Sequence, residues 1–427
     1  MPSLSRLPLN ECRFPDRTGR TMSMNVLEKL AATNPDCEIW WDSSPLIYAE
    51  WKASLLKDAP AEKRADWEAQ LTRLFDADHV LATGQMGFRG VTTNPPLSLQ
   101  AIQADPEFWA DEIRKLATTC GSDDIEHIYW AIYLDVVRRG AAMIRKAYDL
   151  SGGKYGLVSG QVDPRFVTDR ERMLEQGLQL AEIAPNVMVK IPGSKEGYEV
   201  IEELTARGIS TNNTTSFTVP QYVACMDAVS RGLERARAKG VDLSKWRSVI
   251  THMSARLGNV GDLKAQADAR GIALSAEDIL HGELAVLKRA YRYGKDRGHP
   301  SKMLQCSMRV ADSGPGGTAS SWHIAKLAGG DFVYTCPPGY IAQLMHAEDR
   351  LPDFDPRAID EDAPAETIEK LLRIPYFRQA YEFDGMRAEE FSQFAAFATT
   401  AGEFAAATRK TVDFVARSVE SVRRRVA

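Results

Sequence analysis

Eight short segments that read as β-strands, each separated from the next by helical sequence, run from residue 38 to residue 335. They fall at about 38–42, 89–93, 155–162, 187–191, 208–214, 248–254, 303–307 and 331–335. Strands that alternate with helices imply a parallel sheet. Eight such units suggest an α/β chain closed into a (β/α)8 TIM barrel. A doubly wound open sheet is the alternative, but no Gly-x-Gly-x-x-Gly follows the first strand. The fourth segment, Asn186-Val-Met-Val-Lys-Ile-Pro192, constrains the fold further. Central strands of a parallel sheet are covered on both faces and run almost continuously apolar. Lysine is seldom fully buried unless something pairs with it or uses it. Lys190 is therefore either leaving the strand for solvent or doing chemistry.

The remaining sequence frames this barrel. Residues 1–23 are rich in Pro, Arg and Ser and lack periodicity, so 1–37 reads as an N-terminal arm with a short helix. Residues 38–340 form the expected catalytic barrel, with a charged helical insertion at about 261–298. Residues 341–427 read as a helical C-terminal extension. The net charge of -5 argues against a nucleic-acid or anionic-membrane partner. No apolar run approaches the roughly 20 residues needed to span a bilayer. No charged end followed by an apolar segment is read at the start. The six cysteines form no CxxC pair, so reduced thiols in a cytoplasmic protein are expected, with no zinc site.

In a (β/α)8 enzyme the chemistry sits at the C-terminal ends of the strands. Those ends carry Asp42, Asn94, Gln161, Lys190, Asn212 with Thr214, Thr251 to Arg256, and Ser307 with Arg309. Each has a plain structural explanation. Asp42 could cap a helix, Asn94 could shape the turn before Pro95, and the arginines could be solvated. The set nevertheless divides into complementary jobs. A lysine in an apolar setting loses its proton more readily and becomes nucleophilic. It can form an imine with a ketone, and the imine draws electrons from a neighbouring carbon–carbon bond. Cleaving that bond needs a general base, and Asp42 is the only carboxylate at these ends. Asn94, Asn212 and Thr214 can hold hydroxyls of a polyol. Arg256 and Arg309, with Ser307, suit a phosphate.

Thr92-Thr-Asn-Pro95, Val187-Met-Val-Lys-Ile-Pro192 and Gly208-Ile-Ser-Thr-Asn-Asn-Thr214 resemble, in that order, the motifs of the transaldolases. Glu199–Gly208 and Gln161-Val-Asp-Pro-Arg165 resemble them as well. The resemblance covers about 88–256 most strongly. It implies a (β/α)8 enzyme, needing no metal or organic cofactor, that moves a dihydroxyacetone unit from a ketose phosphate to an aldose phosphate. It also implies Lys190 as the Schiff-base lysine and Asp42 as acid/base, with Gln161 at the position of the catalytic-water residue and Thr214 matching the family's threonine among the catalytic residues. Asn94, Asn212, Thr251, Arg256, Ser307 and Arg309 match its substrate-binding positions. The partners implied are phosphorylated sugars, without nucleic acid or membrane, and a homodimer is compatible with such a chain.

The chain also departs from the pattern. Gln161 stands where most transaldolases carry a glutamate, and a glutamine orients water without taking its proton. Fructose 6-phosphate aldolases share that glutamine and release free dihydroxyacetone, which makes aldol cleavage without transfer the alternative reaction. Met253 stands where an aromatic residue is common. Asn213 and Thr215–Ser216 replace expected apolar residues, so a specialised sugar substrate is a further reading. A sugar-phosphate-binding barrel without turnover is the non-enzyme reading. The loop Asp312-Ser-Gly-Pro-Gly-Gly-Thr318 is either a lid over a phosphate or a plain connector. His252, next to Thr251 on its strand, is expected to pack outward.

Overall fold

The computed structural model of the 427-residue chain describes residues 14–15, 21–22, 24–78, 87–120, 124–311 and 318–426. The rest of the expected arm, and residues 312–317 of the glycine-rich loop, lie outside the described residues.

All eight expected strands are present. They are β1 (Glu38–Asp42), β2 (Phe88–Thr92), β3 (Leu157–Gln161), β4 (Val187–Pro192), β5 (Thr211–Ser216), β6 (Ser248–Met253), β7 (Lys302–Cys306) and β8 (Phe332–Cys336). Each pairs in parallel with the next, and β8 pairs with β1 to close the barrel. Closure removes the edges of this sheet, so each barrel strand is covered by neighbours on both sides and by helices outside. The fifth strand starts at Thr211 rather than Gly208. Gly208, at φ 74°, ends the helix Lys195–Thr205 in the left-handed conformation that glycine adopts most easily. The Ile209 amide then bonds back to the Leu204 carbonyl, so the chain extends only afterwards.

Strand alternation sorts the side chains between the barrel interior and the helical layer. On β1, Glu38, Trp40 and Asp42 share the inward face. Trp40 is fully buried against Gly90 of β2, where an added Cβ would lie 2.4 Å from the indole ring. The helices that cover the outside begin with side-chain caps. Asn94 accepts from the Leu97 amide at 2.9 Å, Ser194 from Gly197 at 3.0 Å and Thr218 from Gln221 at 3.2 Å. Between β6 and β7 run helices Leu263–Asp268 and Ala276–Asp296. After β8 come helices Pro338–Ala347, Ala365–Leu372, Pro375–Tyr381 and the long Ala395–Val426. Cys37, Cys225, Cys306 and Cys336 are free and buried. Among the described residues no helix is long and apolar enough to cross a membrane.

A buried carboxylate ties the N-terminal end of the barrel. Glu38 is buried and pairs with Arg247 at 2.7 Å, just before β6, and with Lys302 at 3.2 Å, on β7. The Trp40 indole also donates to it at 3.0 Å. Burial pushes this carboxyl upward, but Arg247 and Lys302 outweigh it and bring it down to about 2 from 4.5. A depressed carboxyl contributes stability that is fully present above its unfolded value and is lost as pH falls through the folded one. The window is therefore about pH 4.5 down to about 2. Glu38→Gln should lower stability near neutral pH by about 3 kcal/mol, the size of that shift. It should also flatten the acid dependence across that window, as read by urea melts at a series of pH values. An unchanged acid dependence would show that the clasp is not what holds this end of the barrel.

Candidate active site

A cavity of about 130 Å3 opens at the C-terminal ends of the strands. Seven of the ten residues expected from the sequence line it: Asp42, Asn94, Lys190, Thr214, Thr251, Arg256 and Ser307. A larger concavity of about 800 Å3 lies outside the barrel, beside helix Ala276–Asp296. It contains none of the strand-end groups, so size alone does not locate the chemistry.

Lys190 points into the barrel with only 5% of its surface exposed, and its ammonium donates to the Thr93 carbonyl at 3.0 Å. Burial lowers its pKa from the ordinary lysine value, while the charge of Asp42 pulls it partly back. Asp42 behaves in the opposite sense. The surrounding protein raises its pKa, against the opposing effects of Lys190 and a hydrogen bond from Thr92. Both groups are pushed towards their neutral forms, as expected when charge is taken out of water. An amine with a lowered pKa beside a carboxyl with a raised one can act as nucleophile and proton shuttle at neutral pH.

Asp42 does not cap a helix. Its Oδ1 accepts from the Thr92 hydroxyl at 2.6 Å, and Thr92 in turn bonds to Thr335. Because the Thr92 proton is directed at Asp42, Thr335 supplies the donor in the second bond. These two threonines fix the carboxylate and were not singled out from the sequence. Their signal was available, since both sit on the inward row at or beside a strand end. Asn94, by contrast, does cap a helix while also facing the cavity.

Three expected residues do not line the cavity. Asn212 is fully buried and accepts from Thr251 at 2.8 Å while donating to the Ser159 hydroxyl at 2.9 Å. It therefore orients Thr251. Gln161 pairs in register with Lys190 across β3 and β4, and its buried Oε1 has no hydrogen-bond partner. The Thr214 hydroxyl is likewise buried without a partner. Orphaned buried polar atoms are rare and call for an occupant. Gln161 on β3 and Thr214 on β5 belong to the two strands that flank Lys190 on β4. Arg309 is taken up by Glu283, a fully buried carboxylate that accepts from it at 2.9 and 3.1 Å and also meets His323 at 2.9 Å.

The backbone around the cavity is unusual in two places. Ser307 and Thr215 adopt positive φ values of 55° and 52°. Such values are uncommon for any residue but glycine, most of all for the β-branched Thr215, and are found where the surroundings hold the chain firmly. At Thr215 the register between β5 and β6 shifts, a bulge beside Thr214. As expected, His252 packs away from the cavity, bonding to Tyr222 and to the Glu283 carbonyl. Burial lowers its pKa to about 3, so it is neutral and carries its proton on Nε2, facing that carbonyl.

The wall opposite the strand ends comes from far along the chain. Phe404, on helix Ala395–Val426, lines the cavity. Residue by residue, nothing on that helix had been assigned to the site, because a helical pattern shows which face is apolar and not what it covers.

Comparison with known proteins places the chain in a family. Residues 75–400 match a family described as Transaldolase/Fructose-6-phosphate aldolase. The chain is 34% identical over 294 residues to Transaldolase 2 of Streptomyces coelicolor, covering 65% of this chain and 74% of that one. It is 30% identical over 244 residues to a transaldolase of Thiobacillus denitrificans, covering 56% and 66%. With Transaldolase 1 of Streptomyces coelicolor the identity is 37% over 193 residues, covering 45% and 48%. Against several such relatives the match thus spans about half to two thirds of their length.

The coupling between Lys190 and Asp42 has a measurable sign. The carboxylate of Asp42 holds the lysine pKa up against burial, so Asp42→Asn should move the Lys190 titration to lower pH. Reductive methylation over a pH series, resolved by peptide mass spectrometry, reports that titration. A move to higher pH in Asp42→Asn would mean that the two groups do not interact as described.

Proposed function

Because the chain belongs to the transaldolase/fructose-6-phosphate aldolase family, we propose that it transfers a dihydroxyacetone unit from a ketose phosphate to an aldose phosphate through an imine at Lys190. The observation that carries this reading is the buried amine of lowered pKa beside the carboxyl of raised pKa.

The amine of Lys190 attacks the ketose C2 carbonyl, and loss of water leaves a protonated imine. Asp42 takes the proton of the C4 hydroxyl. The C3–C4 bond breaks, its electron pair passes into the imine to form an enamine, and the aldose phosphate departs. The enamine carbon then attacks the acceptor aldehyde, and Asp42 returns its proton to the new alkoxide. Water finally releases the product and the free amine. Thr92 and Thr335 steady the base through both proton transfers. Thr251, oriented by Asn212, and Asn94 face the sugar hydroxyls. Arg256 and Ser307 face the phosphate, and Arg309 supports that end from behind the cavity wall.

Gln161 favours a second reading. Its free Oε1 can hold a water together with the Thr214 hydroxyl, yet it cannot accept that water's proton. Aldol cleavage with release of dihydroxyacetone is therefore the competing outcome. The barrel, 38–340, is taken as the catalytic unit, with 1–37 as an arm and 341–427 packed on it. A cytoplasmic location and a homodimer complete the reading, and light scattering on the purified chain measures the assembly.

Borohydride added with a ketose phosphate should leave a reduced adduct on Lys190, found by peptide mass spectrometry and absent in Lys190→Ala. Asp42→Asn should still form the adduct but lose at least about 100-fold in kcat, the usual contribution of a positioned acid/base. Following free dihydroxyacetone with and without an aldose acceptor separates transfer from cleavage. No adduct on Lys190 would sink both readings.

A further inference from the structure

Helix Ala395–Val426 lies against the helix that Asn94 caps, against helices Pro106–Cys120 and Ile125–Leu150, and against β5. Three of its residues, Thr400, Glu403 and Phe404, share one face by their spacing. All three meet the candidate phosphate-binding arginine. The Glu403 carboxylate pairs with Arg256 Nη1 at 2.7 Å, and the same nitrogen reaches the Thr400 hydroxyl at 3.3 Å. The guanidinium lies 6.0 Å from the centre of the Phe404 ring. Thr400 and Phe404 are buried, whereas the side chains of Glu403 and Arg256 are 49% and 25% exposed.

We propose that Glu403 is a displaceable internal ligand of Arg256, occupying the guanidinium that a substrate phosphate would use, and so sets how strongly the site binds phosphorylated sugars. This rests on the reading of Arg256 as the anion-binding residue. A carboxylate and a phosphate compete for the same planar fork of donors, and two anions beside one arginine repel. The two arginines at this end of the site differ in the character of their partners. Glu283 is wholly buried on Arg309 and is a fixed element of the wall. Glu403 is half exposed on an outer helix, and water is ready to receive its carboxylate when it leaves. The cavity points the same way. At about 130 Å3 it is well below the roughly 300–1,000 Å3 of pockets that enclose small ligands. Displacing Glu403 and shifting the helix that carries Phe404 would free both the donor and the space.

The experiment uses the full chain and inorganic phosphate as the probe, titrated calorimetrically into wild type, Glu403→Gln and Arg256→Gln. Glutamine keeps the helix propensity and the length of the side chain while removing the charge. Glu403→Gln should bind phosphate about three- to five-fold more tightly, the range that corresponds to losing a partly exposed ion pair. It should also lower KM for a ketose phosphate by a similar factor, with kcat little changed. Arg256→Gln should abolish the binding and erase the difference in the double variant. Phosphate affinity that is unchanged or weaker in Glu403→Gln overturns the proposal, as does the absence of phosphate binding by both wild type and Glu403→Gln. Borohydride trapping at Lys190 with dihydroxyacetone, which carries no phosphate, is run in parallel. Its failure counts against the imine mechanism and leaves the Glu403 result to be read on its own.

Discussion

The site depends on holding an amine and a carboxyl together where neither can be fully solvated. Lys190 and Asp42 sit on the inward rows of strands that are not neighbours, β4 and β1. Only closure of the barrel brings them to one cavity. Burial disfavours each charge separately, and each charge relieves the other. The pair is therefore poised, because a small change at either member moves the proton balance of both. Everything that fixes strand position feeds into this balance. The Glu38 clasp at the opposite end ties β1 to β7 and to the start of β6. The indole of Trp40 fills the interior between that clasp and Asp42. The threonines of β2 and β8 then fix the carboxylate itself.

The barrel was legible because its strands are short apolar runs separated by helical sequence, and parallel strands buried on both faces leave that pattern. Lys190 and Asp42 were legible for the same reason in reverse, as charged residues set in apolar strands. Strand boundaries were less so. At Gly208 the sequence looks extended, yet the glycine serves the preceding helix before the strand begins. The contribution of the C-terminal helix was not legible at all. Phe404 and Arg256 are separated by nearly 150 residues, and helical periodicity carries no information about which partner an apolar face meets. The missing aromatic side chain at Met253 belongs with this finding. The cavity does have an aromatic wall, but the ring comes from Phe404 rather than from β6.

Charge around the candidate phosphate end follows a consistent scheme. Both arginines that the sequence assigned to an anion are paired with carboxylates from helices outside the strands, Glu283 and Glu403. Such pairing keeps the strand-end cavity from holding uncompensated positive charge. The two pairs are not equivalent, because burial decides which carboxylate can leave. Glu283 is also bound to His323 and has no route to solvent. One arginine is thus fixed in the wall while the other remains exchangeable.

The polar residues on β5 that break the expected apolar pattern have a physical reason. Asn213 and Ser216 bond to each other at 2.6 Å, and Ser216 meets Tyr198 at 3.1 Å. The Tyr222 hydroxyl lies within reach of both the Ser216 carbonyl and His252 Nδ1, its single proton serving one of them, and His252 Nε2 donates to the Glu283 carbonyl on helix Ala276–Asp296. A buried network of this kind is stable only when its members are satisfied, and it then specifies one arrangement. Here that arrangement includes the bulge and the positive φ of Thr215, whose hydroxyl also receives the Gly193 amide at 3.3 Å. An apolar pair in these positions could pack behind the strand but could not hold the strained turn. The polar substitutions therefore act on the site through the backbone, fixing the direction in which Thr214 faces the cavity beside Lys190. The same helix residue, Glu283, anchors this network through its carbonyl and Arg309 through its carboxylate, so the geometry of β5 and that of the candidate phosphate end are set by one element.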